Sequence, residues 1–275
     1  MEGTVRQVNS IARWFRPPPA ARSDLLNVGC GESFHAAWTN VDFRAASPAV
    51  IAHDLRQPLP FADASFSAVY SSHVLEHFSS AFAPVFLAEC RRLLKPGGVL
   101  RIVVPDLETI ARLYLENLQG ALAGDGRAAA RHEWLTLELL DQMVREESGG
   151  EVLKHWMREP LPEEEFVLQR CGWELRRFLE AHRSQPRGKE QPGQPPPKTR
   201  SPVQIAEFRE SGEIHKWMYD RYSLPRLLER VGFKDCKCCA ANESSIPNFN
   251  SYLLDLNPDG TVRKPDSFFT EAAKP

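Results

Sequence analysis

The sequence predicts an α/β chain, a doubly wound and mostly parallel seven-stranded sheet with an antiparallel edge strand and a helical insert. Three features point there. Short apolar runs alternate with helix-spaced stretches over residues 22–106, the run Val99-Leu100-Arg101-Ile102-Val103-Val104 is β-rich and almost wholly apolar, and the glycine turn Gly29-Cys30-Gly31 closes the first run. Alternation of this kind marks a parallel sheet covered on both faces, with the near-continuous apolar strand at its centre.

In chain order, Leu25-Leu26-Asn27-Val28 is a short apolar run feeding the glycine turn, the first strand. Residues 39–43 and 50–54 form the next two, each ending in or beside a carboxylate, Asp42 and Asp54. Residues 67–72 follow the turn Asp63-Ala64-Ser65 and suit a fourth strand. Leu75 to Leu94 has helical spacing, broken by Pro84 and stopped by Lys95-Pro96-Gly97-Gly98. From Leu107 to about Cys171 the pattern lengthens into amphipathic helices, with Trp134, Leu135, Leu139 and Met143 among the apolar positions. A helix from Leu224 to Val231 ends at Gly232, and two final strands, near 234–240 and 251–256, are expected to pair antiparallel at the edge. The organisation is then an N-terminal segment 1–21, a core 22–106, a helical insert or lid 107–183, a proline-rich mobile loop 184–203, and a return to the core over 204–275.

Composition narrows the function classes. The chain has 275 residues, 42% of them hydrophobic, enough for a full core. Lys+Arg at 34 against Asp+Glu at 36 gives a formal charge of -2, so no global positive field favours nucleic acid. No apolar run approaches the roughly 20 residues needed to span a bilayer. Residues 1–20 hold no apolar stretch of the secretory kind before Pro17-Pro18-Pro19, which points to the cytoplasm. Six dispersed cysteines do not frame a disulfide scaffold. Cys236, Cys238 and Cys239 lack a CxxC pair or a nearby histidine, so no metal site is predicted, and the stretch reads as a buried strand using cysteine as a small apolar residue.

A glycine turn after the first strand lets backbone approach a ligand and points its N–H groups outward. A dinucleotide site would need G-x-G-x-x-G or A; here Phe34 occupies the third position, which counts against NAD. Asp42, ending the second strand, can accept hydrogen bonds from two ribose hydroxyls, or cap a turn. Asp54 can accept from an adenine amine, or likewise cap.

The succession Leu-Leu-Asn-Val-Gly-Cys-Gly (25–31), Asn-Val-Asp (40–42), Asp-Leu-Arg-Gln-Pro-Leu-Pro-Phe (54–61), Ser-His-Val-Leu-Glu-His (72–77) and Leu-Leu-Lys-Pro-Gly-Gly (93–98) resembles the class I, Rossmann-like S-adenosylmethionine-dependent methyltransferases. The likeness covers residues 22–106, and His215-Lys216-Trp217-Met218-Tyr219-Asp220 through Phe233 is similar to the closing part of that fold. Within the superfamily the chain looks most like the small methyltransferases found beside glycosyltransferases in surface-polysaccharide pathways. The resemblance implies S-adenosylmethionine as cofactor and a binding set of Asn27, Gly29, Cys30, Gly31, Asp42, Asp54, Leu55, Ser72 and His73. Gly29 and Gly31 would lie against the methionine portion, Asp42 would hold the ribose, Asp54 and Leu55 would contact adenine, and Ser72 with His73 would face the methyl group. One departure stands out: Asp42 follows Gly31 too soon for a full helix between them.

An oxygen or nitrogen acceptor must lose a proton, and histidine is the natural base. His73 and His215 are the candidates, with His77 better read as structural. Glu76 could orient a histidine or sit solvated in a first helical turn, and Arg91 and Arg92 read as a solvated helix face. The acceptor expected is a saccharide or other small molecule. The alternatives are an NAD(P)-dependent oxidoreductase with an atypical loop, or a catalytically silent partner protein that keeps the fold.

Overall fold

The computed structural model describes residue 21, residues 23–184 and residues 200–275. The expected N-terminal segment, residue 21 apart, and nearly all of the proline-rich loop lie outside the described residues. Seven strands, β1 (Leu25–Val28), β2 (Thr39–Asp42), β3 (Val50–Ala52), β4 (Phe66–Ser72), β5 (Leu94–Pro105), β6 (Lys234–Cys239) and β7 (Ser267–Ala273), form one sheet in the order β3-β2-β1-β4-β5-β7-β6. Strands β1 to β5 pair in parallel, while β7 runs antiparallel to both neighbours, with Arg101 of β5 opposite Glu271.

The first four strands and the central position of β5 agree with the sequence reading, but its last strand pair does not. The partner of β6 is β7, not residues 251–256, where Phe249–Tyr252 form a 3-10 turn and Leu256 makes only an isolated bridge to Val262. Tyr252 and Leu254 are drawn inward by a second apolar cluster, not by a ladder. Strand β6 is also more exposed than a buried cysteine strand should be, because it closes the sheet at its edge. The helix expected from Leu75 divides into a 3-10 turn, Leu75–His77, and α1 (Ala83–Leu93), with Pro84 in the first turn of α1, where its missing N–H costs nothing. The insert comprises α2 (Leu107–Leu122), α3 (Gly126–Val144), α4 (Gly150–Trp156), α5 (Glu164–Cys171) and α6 (Trp173–Ser184), and buries Trp134, Leu135, Val167 and Leu175 among themselves. Beyond it come α7 (Pro202–Glu210) and α8 (Ser223–Val231), the latter ended by Gly232 at φ +97°.

The two faces of the sheet are covered differently. On one, α1 and α8 pack Phe86, Leu87, Leu224 and Leu228 against Leu26, Val69 and Leu100. On the other, residues 29–38 between β1 and β2 form turns and no helix. The apolar surface left bare there is covered by residues 241–254, whose Ile246, Phe249 and Leu254 pack on Trp38, Tyr70 and Val103.

A single buried arginine fixes that cover. Arg101, fully buried in β5, donates from Nε to Asp255 Oδ2 at 2.7 Å and from Nη1 to Glu271 Oε1 at 2.9 Å. Its remaining N–H groups reach the carbonyls of Ala241 and Glu243, and its guanidinium lies 4.7 Å from the Phe249 ring centroid. Tyr70 donates to Asp255 Oδ1 at 2.6 Å, so the carboxylate is held from two strands. Arg92 also departs from the solvated reading. It is half-buried and donates to Glu89, Asp63 and the carbonyls of Leu59 and Phe61, while Arg91 donates to the Gly232 carbonyl.

Removing one member of a buried ion network leaves the others uncompensated, at about 3–5 kcal/mol. Arg101→Met is therefore expected to lower the unfolding free energy by about that amount in urea titration; a change within the error of the measurement would show that Asp255 and Glu271 find other partners.

Candidate functional site

The turn at the end of β1 is built on two glycines in the left-handed region, Gly29 at φ +71° and Gly31 at φ +52°. Gly29 N and Cys30 N both donate to Val41 O, at 2.8 and 3.2 Å, which folds the turn over the end of β2. A Cβ at Gly29 would collide with the Val74 side chain, whereas one at Gly31 would meet nothing within 4 Å. Gly29 is therefore required by packing, and Gly31 leaves an open cradle. Asp42 sits under the turn: its Oδ2 accepts from Gly31 N at 2.8 Å and its Oδ1 from Arg44 N at 3.1 Å. These bonds orient the carboxylate and leave lone pairs for a ligand. Asn27 ties down the far side of the loop, donating from Nδ2 to Ser33 O at 3.0 Å and to Asn40 Oδ1 at 3.3 Å. The Cys30 thiol is pushed up to about 12 by burial and by the charge of Asp42, so it is no nucleophile at neutral pH.

Two cavities flank this turn and share Gly29, Gly31 and His73. The larger, about 420 Å³, is lined by Asp42, Phe43, Asp54, Leu55, Val74, His77, Phe78 and by Glu210, Ser211 and Gly212 at the end of α7. The smaller, about 330 Å³, is lined by Asn27, Cys30, Ser33, Ser72, Trp173, Glu174, Asp255, Arg263 and Lys264. Asp54 is already engaged: Arg56 grips its carboxylate with Nε at 2.9 Å and Nη2 at 2.9 Å, and this fork holds the carboxyl below the usual range. Seven of the predicted residues, Gly29, Gly31, Asp42, Asp54, Leu55, Ser72 and His73, thus line one cavity or the other, and Asn27 and Cys30 join the smaller.

His215 does not. It is buried, lines neither cavity and turns its Nε2 toward Glu76 Oε1 at 4.0 Å. Burial pushes it down to about 3 against the pull of Glu76, so it is a neutral imidazole at pH 7 and an ineffective base. Glu76 is fully buried rather than solvated, because Lys216 N and Trp217 N donate to its main-chain carbonyl at 2.7 and 3.1 Å and pin the segment 214–217 across it. Burial raises its carboxyl, but the His73 imidazole beside it outweighs this and holds it at about 2. His73, itself in the left-handed region at φ +54°, places Nδ1 3.1 Å from Glu76 Oε1 and Nε2 2.8 Å from Ser267 Oγ. His77 is not stacked above His73 on a helix; it leans on His215, ring centroids 4.9 Å apart, with Nδ1 3.0 Å from the Ile214 carbonyl oxygen.

Sequence reasoning passed over Trp173, Asp255, Arg263 and Ser267, which reach the site from α6 and from the chain before and within β7. No local signal marks them, since their approach depends on how residues 241–266 cross the sheet. Glu76 did have a signal, its place between His73 and His77, which left it open between orienting a histidine and sitting solvated in a first turn; the structure buries it beside His73.

Residues 29–102 match the family model described as a methyltransferase domain. The chain is also 32% identical, over 108 residues, to a probable S-adenosylmethionine-dependent methyltransferase of Mycolicibacterium smegmatis, covering 33% of this chain and 41% of that protein. It is 29% identical, over 148 residues, to a malonyl-[acyl-carrier protein] O-methyltransferase of Erwinia pyrifoliae, covering 46% and 52%. The chain thus spans about half the length, or less, of these curated relatives. Among solved structures, a SAM-dependent methyltransferase from Archaeoglobus fulgidus aligns over 96% of this chain and 90% of its own, at 13% identity and a TM-score of 0.38. The domain match and both relatives imply S-adenosylmethionine as the methyl donor.

The matched residues 29–102 carry groups that would fit this cofactor. Gly31 leaves room above the turn, Asp42 presents an oriented carboxylate at a strand end, and Leu55, Val74 and Phe78 supply apolar walls beside it. A hydrogen bond to a charged acceptor contributes about 1.5–3 kcal/mol. Asp42→Ala is accordingly expected to weaken S-adenosylmethionine binding by about 10- to 150-fold in calorimetric titration, and unchanged affinity would reduce Asp42 to a clamp on Gly31.

Proposed function

We propose that the chain is an S-adenosylmethionine-dependent methyltransferase acting on an oxygen or nitrogen of a small polar acceptor, a saccharide hydroxyl foremost, as in the enzymes found beside glycosyltransferases. One juxtaposition carries the reading: the Gly29–Gly31 turn, with Asp42 fixed beneath it, opens on two cavities that meet at His73. On this reading the larger cavity takes adenosine, with Asp42 on the ribose and Asp54 and Leu55 at the base. The smaller takes the methionine end and the acceptor, against Asn27, the Cys30 backbone, Ser72 and His73.

The bound cofactor supplies a methyl group made electrophilic by its sulfonium, so the chain's own residues need only align the acceptor, exclude water and take a proton. Glu76 can only accept, which places a proton on His73 Nδ1, 3.1 Å from Oε1. Ser267 Oγ lies 2.8 Å from Nε2 and donates its own hydrogen to Asp266 Oδ1 at 3.0 Å; on this reading an acceptor hydroxyl takes the place of Ser267 and passes its proton to the neutral Nε2. His215 faces Glu76 and acts, if at all, from behind His73.

The acceptor side is polar. Arg263 is half-buried, stacks 4.3 Å from the Trp173 ring centroid and makes no ion pair with a carboxylate among the described residues. Its unused N–H donors, with Glu174 and Asp255 nearby, suit a hydroxyl-rich molecule better than an apolar one. Among the described residues no helix is long and apolar enough to cross a membrane, and with six free thiols the cytoplasm is the proposed setting.

Calorimetric titration with S-adenosylmethionine, S-adenosylhomocysteine and NAD tests the reading: the two sulfur compounds are expected to bind and NAD not, and failure of both sulfur compounds overturns it. His73→Gln should lower kcat by about 10²- to 10⁴-fold, a far larger factor than any accompanying change in the cofactor Kd. An unaltered kcat would remove His73 from proton transfer.

A further inference from the structure

Behind His73 lies a group of side chains centred on Glu76, with His77 and His215. Glu76 is fully buried, yet neither carboxylate oxygen accepts a well-aligned hydrogen bond, and no lysine or arginine pairs with it among the described residues. An ionised carboxylate held this way costs several kcal/mol unless positive charge faces it. What faces it is imidazole. One atom from each of Glu76, His77 and His215 falls within 4.8 Å of the others. His77 Nδ1 meets the Ile214 carbonyl oxygen at 3.0 Å, so Nδ1 is the donor and Nε2 keeps its lone pair, the arrangement that metal-binding histidines adopt. His215 turns Nε2 to the same carboxylate, and the buried Tyr219 hydroxyl near it also lacks a hydrogen-bond partner.

We propose that Glu76, His77 and His215 bind one divalent transition-metal ion of the zinc class. Two imidazoles and a carboxylate suit Zn²⁺ or Co²⁺, whereas Mg²⁺ and Ca²⁺ take oxygen shells. Metal–ligand bonds of about 2.0–2.2 Å set tetrahedral ligand atoms about 3.4 Å apart, so side-chain rotation must draw the three in by about an ångström. The backbone on which they ride is already fixed by the Glu76 carbonyl and the N–H groups of Lys216 and Trp217. His77 also lines the larger cavity, which gives the ion a way in. There the ion neutralises Glu76 and holds it against His73 Nδ1, 3.1 Å from Oε1, which makes the three ligands positioning residues for His73. The inference does not depend on methyl transfer.

The test uses the full chain, stripped with a chelator and then dialysed against ZnCl₂, CoCl₂ or MgCl₂, with metal content read by plasma mass spectrometry. The parent is expected to retain one Zn²⁺ or Co²⁺ per chain and no Mg²⁺, and Glu76→Gln and His215→Gln, checked for fold by circular dichroism, are expected to lose it. If Glu76→Gln does not fold, His215→Gln and the Co²⁺ spectrum decide. The Co²⁺ form should show ligand-field bands without thiolate charge transfer. Thiolate bands, metal retained by a folded variant, or no metal on the folded parent each overturn the proposal, the last leaving protonated imidazole as the counter-charge of Glu76. Titration of the same preparation with S-adenosylmethionine separates the two readings: cofactor binding without metal overturns only the metal site, and metal without cofactor overturns only methyl transfer.

Discussion

The buried guanidinium of Arg101 is the constraint around which the rest of the molecule is arranged. A sheet with no helix between β1 and β2 has one face that must be covered from elsewhere, and irregular chain is a poor cover because it carries unpaired carbonyls. Arg101 satisfies them from within the central strand, collecting the carbonyls of Ala241 and Glu243 as well as Asp255 and Glu271. Desolvating three charged groups is unfavourable by itself, so the network adds specificity more than stability: residues 240–255 have one way to lie on the sheet. That placement also puts Leu254, Asp255 and Arg263 at the rim of the smaller cavity.

A second constraint acts at the end of β4, two residues along the ladder from Arg101. The chain leaves β4 through His73 in the left-handed region, a conformation that costs a non-glycine residue of order 1 kcal/mol or more. It is held there by the His73 N–H on Val103 O at 2.9 Å, by Glu76 on one ring nitrogen and by Ser267 on the other. Such over-determination fixes a ring at the meeting point of two cavities to within one rotamer. Glu76 is in turn fixed by the 214–217 segment, so the site joins the first sheet strands to chain that follows the helical insert.

How much of this was legible in the sequence follows from how local each signal was. The strands β1 to β5, the Gly29–Gly31 turn and the carboxylate of Asp42 are set by runs and spacings within a few residues, and were readable. The strand β7 was not, because Phe268-Phe269-Thr270-Glu271 at the chain's end carries two buried polar residues whose partners are Arg101 and the strand edges, invisible without the fold. The apolar residues of 251–256 suggested a strand, but their burial is against Trp38 and Tyr70 in an irregular segment. Glu76 stayed open between two readings for a related reason: whether a carboxylate beside two histidines is solvated depends on a distant segment that closes over it.

The two halves of the site therefore have different origins. The proposed cofactor side is made almost wholly from strand ends and the turns that directly follow them, so its geometry is inherited from the parallel sheet and varies little without breaking it. The proposed acceptor side is assembled from Trp173 and Glu174 at the start of α6 and from Asp255, Arg263 and Lys264, segments that meet only because Arg101 anchors the cover and the insert packs beside it. Lys264 lies 3.6 Å from Glu174, and Arg263 stacks on Trp173, so these two segments hold each other in register without involving the sheet. Changes at these positions can reshape the smaller cavity while Gly31 and Asp42 keep their 2.8 Å bond, so the two sides of the proposed site can vary separately.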